Sequence, residues 1–272
     1  MKCAWRELLD ILPQRIRSEV DEYGRETGQE LRLRLDKPPE LIGSCGSRWL
    51  HDRIAEADLQ FVVNAASRYS PWAAATAAKG YLTAMGGHRI GLCGEAYGDN
   101  GIIKGVRDVT SLNIRIARDI PNLISADPGG NILILGPPGC GKTTLLRDLT
   151  RLIARKETVT VVDERGELFP KGYETGRRMD VLSGCGKAAG IAMALRTMGP
   201  NCIAVDEITE QDDCAALRSA AWCGVRLVAT VHASCKQDLL RRAVYRTLTE
   251  QELFDQLIVL RPDKFWNLER AG

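Results

Sequence analysis

No stretch of this chain approaches the roughly 18 consecutive apolar residues that a membrane span requires. Charged Arg6, Glu7 and Asp10 follow soon after Met1, so neither a spanning helix nor a secretory signal is expected. Any membrane association is expected to run through a partner or a surface face. Histidine is scarce, at 3 residues, and the 9 cysteines are scattered, odd in number and free of any C-x-x-C pair. That argues against a disulfide framework and a zinc site, and for a reducing cytosol. A charge excess is missing too, with 37 Lys+Arg against 35 Asp+Glu. The global positive field of a dedicated nucleic-acid binder is therefore absent, and no nucleic-acid partner is expected. Repeats and low-complexity tracts are lacking. What remains, 272 residues at 44% hydrophobic content, can fill one large or two medium cores.

The most informative stretch begins with an apolar run, Ile132 to Leu135, that reads as a buried strand. It leads directly into Gly136-Pro137-Pro138-Gly139-Cys140-Gly141-Lys142-Thr143-Thr144, a phosphate-binding loop pattern opening a helix. Gly136, Gly139 and Gly141 let the backbone wrap closely enough for its N–H groups to cradle phosphate oxygens. Lys142 is placed to reach the terminal phosphates and Thr143 to offer its hydroxyl to Mg²⁺. The helix aims its positive end at the anion. Cys140 fits as a small filler, with an oxidation-sensitive thiol as the other reading.

Around this loop the chain divides in two. Helical spacing predicts helices over Ala4 to Leu12, Glu56 to Ser67 and Trp72 to Lys79. Alternation predicts a strand over Glu30 to Leu35 and short strands over Ile102 to Val106 and Ser111 to Ile116. Gly80 to Cys93 reads as a hairpin turning at Gly86-Gly87, with His88 structural. These elements predict a smaller α+β domain over residues 1–120. Pro121 and Asp127-Pro128-Gly129-Gly130 mark a linker at 121–130. Over residues 131–272 strands (158–162, 203–205, 225–231, 257–260) alternate with helices (188–198, 211–223). That rhythm predicts an α/β domain with a parallel, doubly covered sheet and its ligand at the strands' carboxyl ends.

Three of those strand ends carry reactive groups. Cys202 to Val205 ends in Asp206-Glu207, which resembles a Walker B element, in which the first acid holds the Mg²⁺ shell and the second polarises water; an exposed acidic strand end is the other reading. Thr158 to Val162 ends in Asp163-Glu164-Arg165-Gly166-Glu167. Its Asp-x-x-Gly also fits a GTPase element, but the guanine-reading Asn-Lys-x-Asp is absent, which favours ATP. The strand through Ala229-Thr230-Val231 ends at His232, whose placement suits sensing of a γ-phosphate, with a structural role as the other reading. Phosphoryl transfer usually needs further arginines. The candidates are Arg107, Arg115 and Arg118 before the linker, and Arg177, Arg178 and Arg196 beyond it.

In this order the elements resemble the secretion ATPase superfamily, the motors of type II and type IV secretion and pilus assembly. The Walker A loop falls at Gly136 to Thr143 and the acidic box at Asp163 to Glu167. The Leu-Arg helix at Leu195-Arg196 leads to Glu207, and the Thr-x-His box spans Thr230 to His232. More closely, the chain is similar to a family of stage III sporulation proteins of endospore-forming bacteria. The phrases that carry this are Glu30-Leu31-Arg32-Leu33-Arg34, Gly86-Gly87-His88-Arg89-Ile90-Gly91, Leu112 to Arg118, Val162 to Arg165 and Ala204 to Ile208. It departs at Thr209, where the family carries Gly.

The resemblance implies a RecA-like P-loop NTPase domain with a mainly parallel sheet, preceded by a smaller α+β domain. It implies an ATP-hydrolysing, Mg²⁺-dependent motor in a homo-oligomeric, hexameric ring in the mother-cell cytoplasm. Membrane-embedded sporulation channel proteins are the implied partners. Glu207 is the first choice for activating water and Glu167 the second. Arg115 and Arg118 are implied to close over the γ-phosphate. A nucleic-acid translocase and a non-hydrolysing, nucleotide-dependent assembly scaffold are the alternatives.

Overall fold

The computed structural model describes residues 4–271 apart from 45, 68–79, 101, 171 and 251. The chain forms two compact units, Met1–Asp119 with Pro170–Tyr173, and Ile120–Phe169 with Glu174–Gly272.

In the first unit, period-two alternation builds the central strand. Leu31 and Leu33 of β1 (Gly28–Arg34) are buried, whereas Arg32 and Arg34 stay partly exposed and pair with Glu30 and Glu40. β2 (Glu40–Gly43), β3 (Gly46–Trp49), β4 (Tyr81–Thr83), β5 (Arg89–Asp99) and β6 (Ile102–Arg115) complete an antiparallel sheet in the order β3-β2-β1-β6-β5-β4. Helices Trp5–Asp10, Gln14–Gly24 and Glu56–Ser67 add Leu8, Ile16, Val20, Leu59 and Val62 to the core of Leu31, Leu33, Leu112 and Ile114.

Two features of this unit differ from expectation. Helix Gln14–Gly24 buries Ile16, Val20 and Gly24, too thin an apolar stripe among charged residues to stand out in the sequence. The two short strands expected over 102–106 and 111–116 are one strand, because Arg107 stays in the ladder opposite Glu95. A bulge after Cys93 absorbs the left-handed Asp108, at φ 46°. The helix expected at Trp72 to Lys79 lies outside the described residues. The Gly86-Gly87 turn has φ 79° and 80°, and a Cβ on Gly86 would lie 2.2 Å from the Ala4 methyl. Behind it His88 is buried: Nε2 donates to the Ala4 carbonyl at 2.7 Å, and Nδ1 accepts from the Ala117 N–H at 3.2 Å. Burial holds its pKa below the ordinary histidine value.

The second unit is a seven-stranded sheet of β7 (Ile132–Leu135), β8 (Val159–Asp163), β9 (Met179–Ser183), β10 (Cys202–Val205), β11 (Arg226–Val231), β12 (Gln256–Leu260) and β13 (Trp266–Arg270). Its order is β13-β12-β7-β11-β10-β8-β9, parallel throughout except for β13 against β12. Every residue of β7 and β10 is buried, as a sheet covered on both faces demands. Register aligns the carboxyl ends, since Val205 pairs with both Ala229 and Val162, and Val231 pairs with Leu135. The ends of β7, β11, β10 and β8 therefore stand side by side. Midway along helix Lys142–Ile153, buried Asp148 accepts the N–H groups of Asn122, Leu123 and Ile124 at 2.8, 2.6 and 3.0 Å, so the segment read as a linker is fastened here. Among the described residues no helix is long and apolar enough to cross a membrane.

Candidate active site

The P-loop leaves β7 and wraps because three glycines permit it. A Cβ on Gly136 would meet Cys140 Sγ at 2.5 Å and the Leu260 carbonyl at 3.0 Å, while Gly139 and Gly141 have φ 76° and 104°. Cys140 is buried against this turn, Pro137, Thr143 and Thr144 are partly exposed, and Pro138 and Gly139 are exposed. The helix that starts at Lys142 points its N-terminal N–H groups toward the loop, the arrangement that receives a phosphate. Lys142 itself is buried, donating to the Gly136 and Pro137 carbonyls at 2.9 Å each and to His232 Nδ1 at 3.0 Å. Burial pulls its pKa below the usual lysine value, against the opposing pull of Cys140, Asp206 and Glu207.

At the end of β10, Asp206 is held from both sides. Thr143 Oγ1 donates to Oδ2 at 2.7 Å and Thr230 Oγ1 to Oδ1 at 2.6 Å. Glu207 then turns off the strand with φ 56°, a left-handed conformation that costs a glutamate energy. Bonds from its N–H to Thr230 Oγ1 at 2.8 Å, and from Ile208 N–H to the Thr230 carbonyl at 2.9 Å, hold it there. Its carboxylate faces His232 Nε2 at 3.2 Å and accepts from Arg165 Nη1 at 3.0 Å.

The acidic box divides by role. Asp163 is buried and accepts the N–H groups of Glu167, Leu168 and Phe169 at 3.0, 2.9 and 3.0 Å, so it shapes the loop. Burial pushes its pKa up, against those three bonds. Arg147 braces the same loop through the Glu167 and Leu168 carbonyls. Glu167 is exposed and lines one cleft with Asp206 and Glu207.

The residues fit nucleotide and Mg²⁺. Among the described residues no group of three or more His, Cys, Asp or Glu side chains forms a metal cage. Mg²⁺ at a phosphate site needs none: one or two protein oxygens suffice, the rest coming from phosphate and water. Thr143 and Asp206, already 2.7 Å apart, are that pair of hard oxygens, and the glycine cradle is the space a Cβ would fill.

A family model for sporulation stage III, protein AA, matches residues 4–266. The chain belongs to this family. It is 36% identical over 278 residues to stage III sporulation protein AA of Bacillus subtilis (strain 168), across 93% of this chain and 90% of that relative. Among solved structures it is similar to the Legionella pneumophila ATPase DotB, with a TM-score of 0.60 at 17% identity over 92% of this chain and 78% of that one. It is similar also to the pilus retraction motor PilT, solved with bound ADP, with a TM-score of 0.60 at 16% identity over 90% and 76%. At such identities the likeness carries the fold, the expected RecA-like α/β domain with its mainly parallel sheet.

The candidate site residues in the second unit thus converge on four adjacent strand ends. The two candidate arginines belong to the first unit. Arg115 is exposed on β6, in register with Glu30 and Arg89. Arg118 donates to the carbonyls of Gly24, Arg25 and Gly28 at 2.7–3.0 Å, where helix Gln14–Gly24 ends. Sequence reasoning missed Lys187, which lines the acidic cleft. A lysine opening a helix after a glycine reads as solvated, and no local pattern marks it otherwise.

Proposed function

We propose that this sporulation-family chain is an Mg²⁺-dependent ATPase and the subunit of a ring, hexameric as the resemblance to secretion motors implies. Its turnover would power a sporulation channel or secretion apparatus between mother cell and forespore, through membrane-embedded partners that hold it at the mother cell's cytoplasmic side. The observation that carries the hydrolytic reading is the placing of Glu207. It stands next to the Thr143–Asp206 oxygen pair, in a strained conformation, with its carboxylate oriented by Arg165 and His232.

In this reading Lys142 and the N–H groups of Gly136 to Thr144 hold the phosphates, and Thr143 with Asp206 holds the metal's coordination shell. Bound Mg²⁺ neutralises charge on the phosphate oxygens. Glu207 accepts the proton of the attacking water, with Glu167, across the same cleft, as the second choice. His232 ties Glu207 to Lys142, so the state of the phosphates and that of the base are linked. Arg115 and Arg118 are assigned to the γ-phosphate. To take that role Arg118 would first have to leave three backbone carbonyls.

Size-exclusion light scattering with and without ATP·Mg²⁺, run beside phosphate release on the same sample, tests the proposal. A nucleotide-dependent ring that releases phosphate is expected. Assembly on ATP with no phosphate release would replace the motor with a scaffold.

A further inference from the structure

Among the described residues, the cleft between the ends of β8 and β10 is lined by five carboxylates and two cations, Arg165 and Lys187. Arg165 donates to Glu207 at the mouth of β10. Lys187 is the other cation, and its side chain is 8% exposed. Its Nζ donates to Glu164 Oε2 at 2.5 Å and lies 3.7 Å from Asp213 Oδ2. Asp213 Oδ2 in turn accepts the N–H groups of Thr209 and Glu210 at 3.1 and 3.2 Å. A chain of contacts therefore runs from the acidic loop after β8, through Lys187, into the turn that follows Glu207. A buried ammonium between two carboxylates is a fixed cation, unlike the solvated lysine that a helix start usually carries.

We propose that Lys187 is a positioning residue for hydrolysis, clamping Glu164 to Asp213 so that the acidic loop keeps its place against the turn bearing Glu207. The inference rests on the ATPase reading for its catalytic consequence. Glu164 adjoins Arg165, so a fixed Glu164 also fixes the guanidinium that orients Glu207. Lys187 acts through these neighbours, and phosphate binding stays with Lys142.

The test uses the full chain in four forms besides wild type: Lys187→Met, Lys187→Arg, Glu164→Gln and the Lys187→Met/Glu164→Gln pair. Each is followed by thermal melting without nucleotide and by steady-state ATP hydrolysis. Lys187→Met is expected to lower kcat about tenfold or more, as loss of an orienting outer partner does, with KM for ATP within about twofold. Lys187→Arg recovers most of that loss. In melting, the pair loses less stability than its two single variants summed, because each single variant already breaks the shared contact. A Lys187→Met enzyme with wild-type kcat overturns the proposal, as does a kcat loss that Lys187→Arg leaves uncorrected. If Lys187→Met fails to fold, recovery of folding in the pair supports the clamp and failure to recover overturns it. A wild-type protein that releases no phosphate refutes the ATPase reading by itself. Additive melting losses would then overturn the clamp, and non-additive ones uphold it.

Discussion

His232 Nδ1 lies 3.0 Å from the ammonium of Lys142. An ammonium has no lone pair, so Nδ1 accepts, and the ring proton resides on Nε2, which faces Glu207 Oε1 at 3.2 Å. One imidazole in one tautomer thus joins the lysine proposed to bind phosphate to the candidate base.

This geometry predicts how His232→Ala behaves. Lys142 keeps its bonds to the Gly136 and Pro137 carbonyls, so the loop and its nucleotide affinity persist. Glu207 loses one of its two orienting partners. We expect kcat to fall about 10- to 100-fold, less than the 10²–10⁴ range attached to an acid–base group itself. Fluorescent-ATP titration beside phosphate release separates the two effects, and a large loss of affinity at unchanged kcat would refute the relay.

Gly136→Ala tests the cradle. The added methyl would sit 2.5 Å from Cys140 Sγ and 3.0 Å from a backbone oxygen, and the latter cannot rotate away. The loop must shift, so ATP affinity should drop about tenfold or more while the unit stays folded. Isothermal titration with ATP·Mg²⁺ reads this directly, and unchanged affinity would place the phosphates elsewhere.

His88 makes the first unit sensitive to acid. Its neutral ring uses both nitrogens, and burial keeps its folded-state pKa below the ordinary value of 6.5. The unfolded chain takes up the proton first, so stability is intact above that value and falls as pH drops below it. The stability of the first unit should be level above about pH 6.5 and fall from there toward pH 5 on the scale of about 1 kcal/mol per unit of pH. His88→Gln should flatten that slope, and a slope that survives the substitution would assign it to another group.

Asp148→Ala leaves the N–H groups of Asn122, Leu123 and Ile124 without their shared carboxylate. Charge-assisted bonds of this kind predict a loss of about 2–3 kcal/mol in urea unfolding of the second unit. A loss under about 0.5 kcal/mol, the scale of an ordinary surface change, would mean the segment is tied down elsewhere.

Much of the second unit was legible because its strands are buried on both faces and read as apolar runs, each emptying into the group it presents. Ile132–Leu135 leads to the P-loop and Cys202–Val205 to Asp206 and Glu207. β9 and β13 escaped notice for the opposite reason: as half-exposed or exposed edge strands they show little contrast between faces. In the first unit β1 and helix Glu56–Ser67 declared themselves by period. Helix Gln14–Gly24, with a three-residue apolar stripe, did not.

The residues of the site were legible by motif, and their couplings were not. Nothing local ties Lys187 to Glu164, or Arg165 to Glu207. Lys187 meets Glu164 because β9, which leads into the helix it opens, pairs with β8, and Arg165 meets Glu207 because β10 pairs with β8 and ends at the same level. The engagement of Arg118 with Gly24, Arg25 and Gly28 is likewise a product of β6 lying beside β1, which sequence spacing hides.

If Glu207 activates water for ATP hydrolysis, Glu207→Gln should separate binding from turnover. Glutamine keeps the size of the side chain and removes its capacity to accept a proton. Phosphate release should fall by about 10²–10⁴ relative to wild type, while ATP·Mg²⁺ binding, measured on the same preparation, stays within a few-fold. Hydrolysis at the wild-type rate in Glu207→Gln would contradict the account.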